Sequence, residues 1–578
     1  MRCALPSLLL TTAAALALYA APRPASACGG TFCDAGPQPM PVDQTGENVL
    51  FVIDGPRVEA HIQIQYDPDT DAQQFAWVIP LQALPEFSVG SEQLFVNLLN
   101  GTVPSYQLNT QAEQCYQGGT DTGGGPSVDD GPSFEPPTGD DSPGEPEVLL
   151  AETVGAFDIV VLAGETTAGL LQWLTDNGYQ PDPDAAPIFD EYLAEGHLFA
   201  AFKLTHGAGV DQIHPVVLEF DAGEACIPLR LTRIAAQEDM EVRAFFLANH
   251  RVAPRNYRHV IVNQLKIDWL NLQGVAERYK ELITQAVDAL KADGHGFVTE
   301  YAGPSSAVSR LGLDDDRWDA APLAAANPLD VVDLLTEQGV MACYADACEY
   351  YHPLVAGLLA EFLPAPDGLT PDDFYACLSC YEPMIDLLAW DASAFAAAYE
   401  QRVVAPTRRA AALLDTWPYL TRMYTTISPG EMTVDPFFHP NQELADVANV
   451  RVATSLARCN GRQIVTLPDG RVVFIPAFAS WPEFTDALPY EEDVEVIMSV
   501  GAPQALVDNT ALIDAALQAW NESVNDHGQF DSWDGGGGDD AAASDDEGCG
   551  CRAQGGITDT TGALALLALL CLVRRRRT

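Results

Sequence analysis

The sequence predicts an α+β fold. An antiparallel, β-rich N-terminal part packs with helices, a largely helical, disulfide-stapled segment follows, and a small αβ portion closes the body. Three observations carry this expectation. Residues 47–80 alternate apolar and polar side chains and are rich in β-branched types, the period-2 signature of half-buried strands. Residues 328–425 are alanine-rich, with apolar positions recurring at helical spacing. Strands and helices are therefore segregated along the chain rather than strictly alternating. The 47% hydrophobic and 9% aromatic content is that of a globular chain, not a disordered one.

At the N-terminus, Arg2 precedes an apolar stretch over residues 8–21 and an Ala25-Ser26-Ala27 site. That layout reads residues 1–27 as a secretory signal peptide cleaved before Cys28. A cysteine at that position also admits a lipoprotein signal, but Cys33 stands close enough to close a Gly-Gly loop with Cys28 as a disulfide. The β-rich stretch, 28–265, opens with strands at "ENVLFVID", "RVEAHIQIQY" and "AQQFAWVIP". The "DPDTD" between the last two is a turn: Ala72 and Val78 occupy the places where a calcium loop needs glycine and glutamate.

Residues 117–147 are mainly glycine, proline and aspartate, and read as a disordered insertion. Strands resume at "EVLLAETVGAFDIVVLAG", then a helix at "TAGLLQWLTDNGY", then strands at "HLFAAFKLT", "HPVVLEFD", "CIPLRLTRI" and "EVRAFFLAN". The mainly helical region, 266–458, begins with an amphipathic helix. It places Leu272, Val275, Tyr279, Leu282, Ala286 and Leu290 on one face and stops at Gly294. The last portion, 459–524, is a hairpin turning on Pro468-Asp469-Gly470 followed by a helix at "TALIDAALQAW".

Residues 525–548 form an acidic, glycine-rich stalk, and 549–578 a tail with Cys549, Cys551, twelve apolar residues over 562–573 and four arginines at 574–577. A spanning helix needs about 20 apolar residues. The short run and basic stop match a tripartite sorting signal of the kind that is removed after export. The other reading is a single-span anchor in a locally thinned bilayer.

The formal net charge is −53, with four lysines against 25 arginines. Such a surface repels phosphate backbones, so nucleic acid is not expected as a partner. Nine cysteines fall in the body: Cys28, Cys33, Cys115, Cys226, Cys343, Cys348, Cys377, Cys380 and Cys459. An exported location favours disulfides, and an odd count leaves one over. Cys343 and Cys348, and Cys377 and Cys380, stand as C-x4-C and C-x2-C with 28 residues between them. That grouping admits a zinc site or two disulfides. Redox chemistry is disfavoured, because Thr370 as N-cap and Pro371 at N1 place Cys377 two turns into a helix, beyond the terminus that stabilises a thiolate. Two antiparallel helices would join Cys343 to Cys380 and Cys348 to Cys377, with a local Cys343–Cys348 bond as the alternative. His197, His206 and His214, spaced nine and eight residues apart, are the one alternative metal set; otherwise no metal or other cofactor is expected.

The body contains no nucleophile elbow, zincin helix, phosphate loop or dinucleotide fingerprint. The functional expectation is therefore an exported envelope protein with a non-catalytic binding or structural role. The alternative is an extracellular hydrolase or metal-dependent enzyme without a familiar motif. Expected partners are the export machinery, a signal peptidase, a sorting-tail protease, and a surface protein or polysaccharide ligand.

Two resemblances add to these readings. The tail "GCGCR…GALALLALLCLVRRRRT" resembles the MYXO-CTERM sorting tail of exported myxobacterial proteins, in which a cysteine motif, a short apolar segment and an arginine cluster occur in that order. The resemblance implies processing near Cys549 or Cys551 and display at the cell surface or outer membrane. The segments "ACGGTFC", "PVDQTGENVLFV", "FAWVIPLQALPEFSVGSEQLF" and "YLTRMYTTISPGEMTVDPFF" resemble the exported bacterial domain-of-unknown-function family 2330, over most of residues 28–460. This resemblance implies export and a shared fold, and no mechanism.

Overall fold

The Gln44–Asp54 strand shows how alternation sets the layering. It turns at Gly55, whose φ of +60° suits a residue without Cβ, and pairs antiparallel with Arg57–Tyr66. Val49 and Phe51 fall on one face, Asn48, Leu50 and Val52 on the other, and all five are buried. The strand therefore belongs to the middle of a sheet covered on both sides. The computed structural model describes residues 31–34, 44–66, 75–113 and 146–525, apart from breaks at 165, 182–184, 205–212, 222, 274, 345–346, 353, 388–389 and 485–487. The segments read as signal peptide, glycine-rich insertion (up to 145), "DPDTD" turn, stalk and sorting tail lie outside the described residues. So do Cys28, Cys115, His206, Cys549 and Cys551.

The largest sheet has ten strands. In spatial order they are Gln504–Asp508, Glu491–Val496, Arg258–Val262, Gly296–Pro304, Tyr419–Ile427, Ala236–Ala248, Gln44–Asp54, Arg57–Tyr66, Val216–Phe220 and Glu86–Val89. All pairs are antiparallel except Gln44–Asp54 with Ala236–Ala248 and Arg258–Val262 with Gly296–Pro304. A six-stranded antiparallel sheet contains Glu147–Val154, Phe157–Ala163, Leu198–Leu204, Phe75–Leu81, Thr31–Asp34 and Tyr179–Gln180. The main core lies between the two sheets, where Val49, Phe51, Ile62 and Phe246 meet Trp77, Ile159 and Phe202. The Thr167–Asp176 and Ala186–Ala194 helices cover the outer face of the six-stranded sheet, and Glu92–Thr102 and Ala405–Thr416 cover the other face of the larger one. The fold is mixed α+β with a β-rich N-terminal part, as the alternation of its strands predicts. The three stretches 28–265, 266–458 and 459–524 all contribute strands to the one ten-stranded sheet.

Several local expectations change. "CIPLRLTRI" is not a strand: Cys226 bridges Phe437, and Leu229–Thr232 is a short helix. Pro228 has no N–H for a ladder and its fixed φ suits a helix start. The amphipathic helix runs Val275–Val287, and Leu290 is 74% exposed beyond it. Positive φ at Lys291, Asp293 and Gly294 unwinds the chain, and the Gly294 N–H donates back to the Val287 carbonyl at 2.9 Å.

Residues 328–425 are helical in the main, but they include a hairpin of Met341–Tyr344 with Ala347–Tyr350. That hairpin overturns the cross-helix staple. Cys343 and Cys348 face each other in its register and are disulfide-bonded to one another. Thr370 caps the next helix as expected, its Oγ1 accepting from the Asp373 N–H at 3.1 Å, yet that helix ends at Ala376. A 3-10 turn over Leu378–Cys380 then brings Cys380 back to Cys377, and these two are bonded. Bonds Cys343–Cys380 and Cys348–Cys377 therefore do not form, and four oxidised sulfurs leave no thiolate ligands for zinc. Cys33 lies in the Thr31–Asp34 strand, Cys459 is disulfide-bonded, and Cys226 is a free cysteine among the described residues.

One ion pair is buried inside the large sheet's helical face. Arg422 Nε donates to Glu300 Oε2 at 2.5 Å, both side chains being almost fully buried. Glu300 sits where the register with Tyr419–Ile427 shifts, between Thr299 and Tyr301, and this bulge lets it share a face with Arg422. The guanidinium stacks over Phe245 and reaches the Leu99 carbonyl and Thr102 Oγ1 of the covering helix. Removing one partner leaves a buried charge unpaired. Arg422→Met is therefore expected to cost about 3–5 kcal/mol in urea unfolding, and adding Glu300→Gln to it should restore much of that loss.

Candidate functional site

The inward row of the Gln44–Asp54 strand does not stay apolar. Glu47 precedes Val49 and Phe51 at the same two-residue spacing, so its carboxyl enters the space between the sheets. Its neighbours in register are Ile64 and Val242, both apolar. Here the packing leaves a cavity with about 60 Å³ of space into which water-sized molecules fit. Val58, Ala60, Ile62 and Leu218 wall it on the large sheet, and Ile79 and Leu81 on the smaller. Gln82 and Glu224 are the lining residues that stand exposed, so they mark its mouth.

A polar cluster completes the lining. Asp435 Oδ2 accepts from Tyr192 Oη at 2.8 Å and from Arg230 Nε at 2.9 Å, while Oδ1 accepts from the Arg230 backbone N–H at 2.9 Å. Arg230 also pairs with Glu195 and stacks over the Tyr192 ring, 4.1 Å from its centroid. Burial pushes the Asp435 carboxyl up despite these donors, and burial together with the Asp435 charge holds the Tyr192 phenol protonated. The half-buried Cys226 thiol is likewise pushed well up by burial, with Asp435 adding to the effect. His197 lies edge-on to Tyr192 at 5.1 Å, and burial lowers its pKa.

Such a set lacks an activated nucleophile. Cysteine reacts as a thiolate, whereas Cys226 is held as a thiol, and among the described residues no hydrogen bond joins it to His197. Asp435 has its oxygens committed to Tyr192 and Arg230. Glu47 differs from all of these. It is 3% exposed, its Oε2 has no hydrogen-bond partner, and burial raises its pKa to about 7.

Two of the three histidines singled out by spacing, His197 and His214, are among the described residues, and they hold different positions. His214 is a core residue: its Nε2 accepts from the Ala156 N–H at 3.0 Å and its Nδ1–H donates to the Pro215 carbonyl at 2.8 Å. Both ring nitrogens are thus used, and burial lowers its pKa to about 4. His197 belongs to the cavity lining instead, and His206 lies outside the described residues. Among the described residues no group of three or more His, Cys, Asp or Glu is arranged to hold a metal ion, and no helix is long and apolar enough to cross a membrane. Sequence reasoning missed Glu47, Tyr192 and Asp435. Glu47 carried a readable signal, an acid in the inward register of an apolar strand, whereas Tyr192 and Asp435 meet across 243 residues and carried none.

Fold and cavity together define an α+β protein with a largely apolar chamber between its two largest sheets. The chain belongs to the family described as uncharacterized protein conserved in bacteria (DUF2330), which matches residues 22–323, just over half of its length. The match stops short of the "YLTRMYTTISPGEMTVDPFF" segment. No curated protein and no solved structure matches the chain.

Glu47 gives the fold a defined pH dependence. Below about pH 4.5 the carboxyl is protonated in both folded and unfolded chains, and burial carries no ionisation penalty. Between about 4.5 and 7 only the unfolded chain ionises, so stability is lost as pH rises, and the loss is complete above the folded value. The size is about 3 kcal/mol. The other titratable groups lining the cavity, Tyr192, His197, Glu224, Cys226 and Asp435, are common to both proteins when wild type is compared with Glu47→Gln. Glu47→Gln is expected to gain stability relative to wild type at pH 8 and not at pH 4, as read by urea unfolding at each pH.

Proposed function

We propose that this is a non-catalytic binding protein, exported and held at the cell surface through its C-terminal tail, with the chamber between its sheets as the ligand site. The chamber is the observation that carries the binding role. Its walls are apolar, while Asp435 is hydrogen-bonded, the Cys226 thiol is held protonated and burial favours the neutral His197 imidazole, so the lining offers no activated nucleophile. Export is supported by the signal-like N-terminus and by the bonds Cys343–Cys348 and Cys377–Cys380, which persist in oxidising compartments. Surface retention rests on the cysteine motif, short apolar run and arginine cluster of residues 549–578.

For the chamber, butan-1-ol at millimolar concentration is expected to raise the melting temperature and to show saturation transfer from the protein in NMR. No response in either measurement removes the binding role. For the tail, mass spectrometry of the protein from the cell envelope is expected to find a C-terminus near Cys549 or Cys551. Recovery of an intact peptide spanning residues 564–573 would show an unprocessed anchor instead.

A further inference from the structure

We propose that the chamber accepts a small amphiphilic amine, an apolar body of a few carbons with one ammonium group that pairs with the Glu47 carboxylate. This rests on the binding role argued above and names the chemistry of the ligand. The carboxyl of Glu47 enters a space walled by Val49, Ala60, Ile62, Ile79 and Leu218, and its Oε2 has no partner. A buried polar atom without a partner is costly, more so when charged, so it is retained where something else satisfies it.

The chemistry of the walls narrows what that can be. Calcium or magnesium needs six or more oxygen ligands, and among the described residues no three His, Cys, Asp or Glu side chains are grouped to hold a metal ion. An anionic amphiphile would meet Glu47 inside and Glu224 at the mouth, on a chain of net charge −53. That field repels anions and concentrates cations at the entrance. An ammonium donates to the Glu47 carboxylate in surroundings where a charge-assisted hydrogen bond is strongest, and its carbon chain covers the apolar walls. The rise of the Glu47 pKa to about 7 by burial is then opposed by the cation, which favours the ionised carboxylate.

The test compares n-butylamine, butan-1-ol and n-butyrate, three probes with the same apolar body, at pH 7.5 on the purified protein. Saturation-transfer titrations are expected to rank butylamine at least ten-fold tighter than butanol, with butyrate weakest. Glu47→Gln, which conserves shape, is expected to abolish the preference for the amine over butanol. Glu47→Asp, which keeps the charge, should retain the preference in part. Equal binding of amine and alcohol, tighter binding of butyrate, or an undiminished amine preference in Glu47→Gln overturns the assignment of an amine and leaves the chamber as an apolar site. Failure of all three probes to bind removes the binding role itself, and with it this assignment.

Discussion

The separation of the two sheets depends on one buried carboxylate. Asp435 gathers Tyr192 from the helix covering the six-stranded sheet and Arg230 from the short helix after Cys226. Its own carbonyl accepts from Asn256 Nδ2, two residues before the Arg258–Val262 strand of the larger sheet, while the Val434 carbonyl accepts from Tyr257 Oη. Elements from both layers are thus fixed to the same few atoms. Burying a carboxylate is costly unless its lone pairs are used, so the cluster holds its geometry strictly. The chamber lies beside this clamp and shares Tyr192 and Asp435 as lining. Closing it would require the sheets to move against those hydrogen bonds.

The acids inside the sheets are treated in opposite ways. Glu300 is met by Arg422 on the next strand, brought to the same face by a bulge, and the pair anchors a covering helix. Glu47 meets apolar neighbours on both flanking strands. Consistency between local pattern and packing is the rule in a stable fold, and departures from it concentrate where a site is kept for use. The same sheet thus contains a solved polar problem and an unsolved one, and only the unsolved one opens into a cavity.

The described disulfides are local. Cys343–Cys348 closes a hairpin and Cys377–Cys380 a single turn, five and three residues apart in sequence. Bridges over such short loops restrict the unfolded chain less than long-range staples do. Association of the helices in residues 318–404 therefore falls to their apolar contacts, with Leu335, Leu358, Phe374, Phe395 and Tyr399 at the centre. Gln338, bonded to Tyr399 Oη and to the backbone on either side of Asp319's peptide, adds a polar tie within the same cluster.

Sequence by itself determined the elements whose periodicity is unambiguous. Strands Gln44–Asp54, Arg57–Tyr66, Phe157–Ala163 and Ala236–Ala248 follow from alternation, the hairpin at Pro468-Asp469-Gly470 from its turn residues, and the Thr370 cap from its side chain, because each of these is set by neighbours a few residues away. Tertiary structure alone decided that Cys226 stays a free thiol, and that "CYADACEYY" is a hairpin rather than helix. It decided too that His214 spends both nitrogens on backbone while Tyr192 and Asp435 meet across 243 residues. These outcomes turn on contacts between segments far apart in the chain, where a hydrogen bond or a packed face outweighs local propensity and leaves no trace in local spacing.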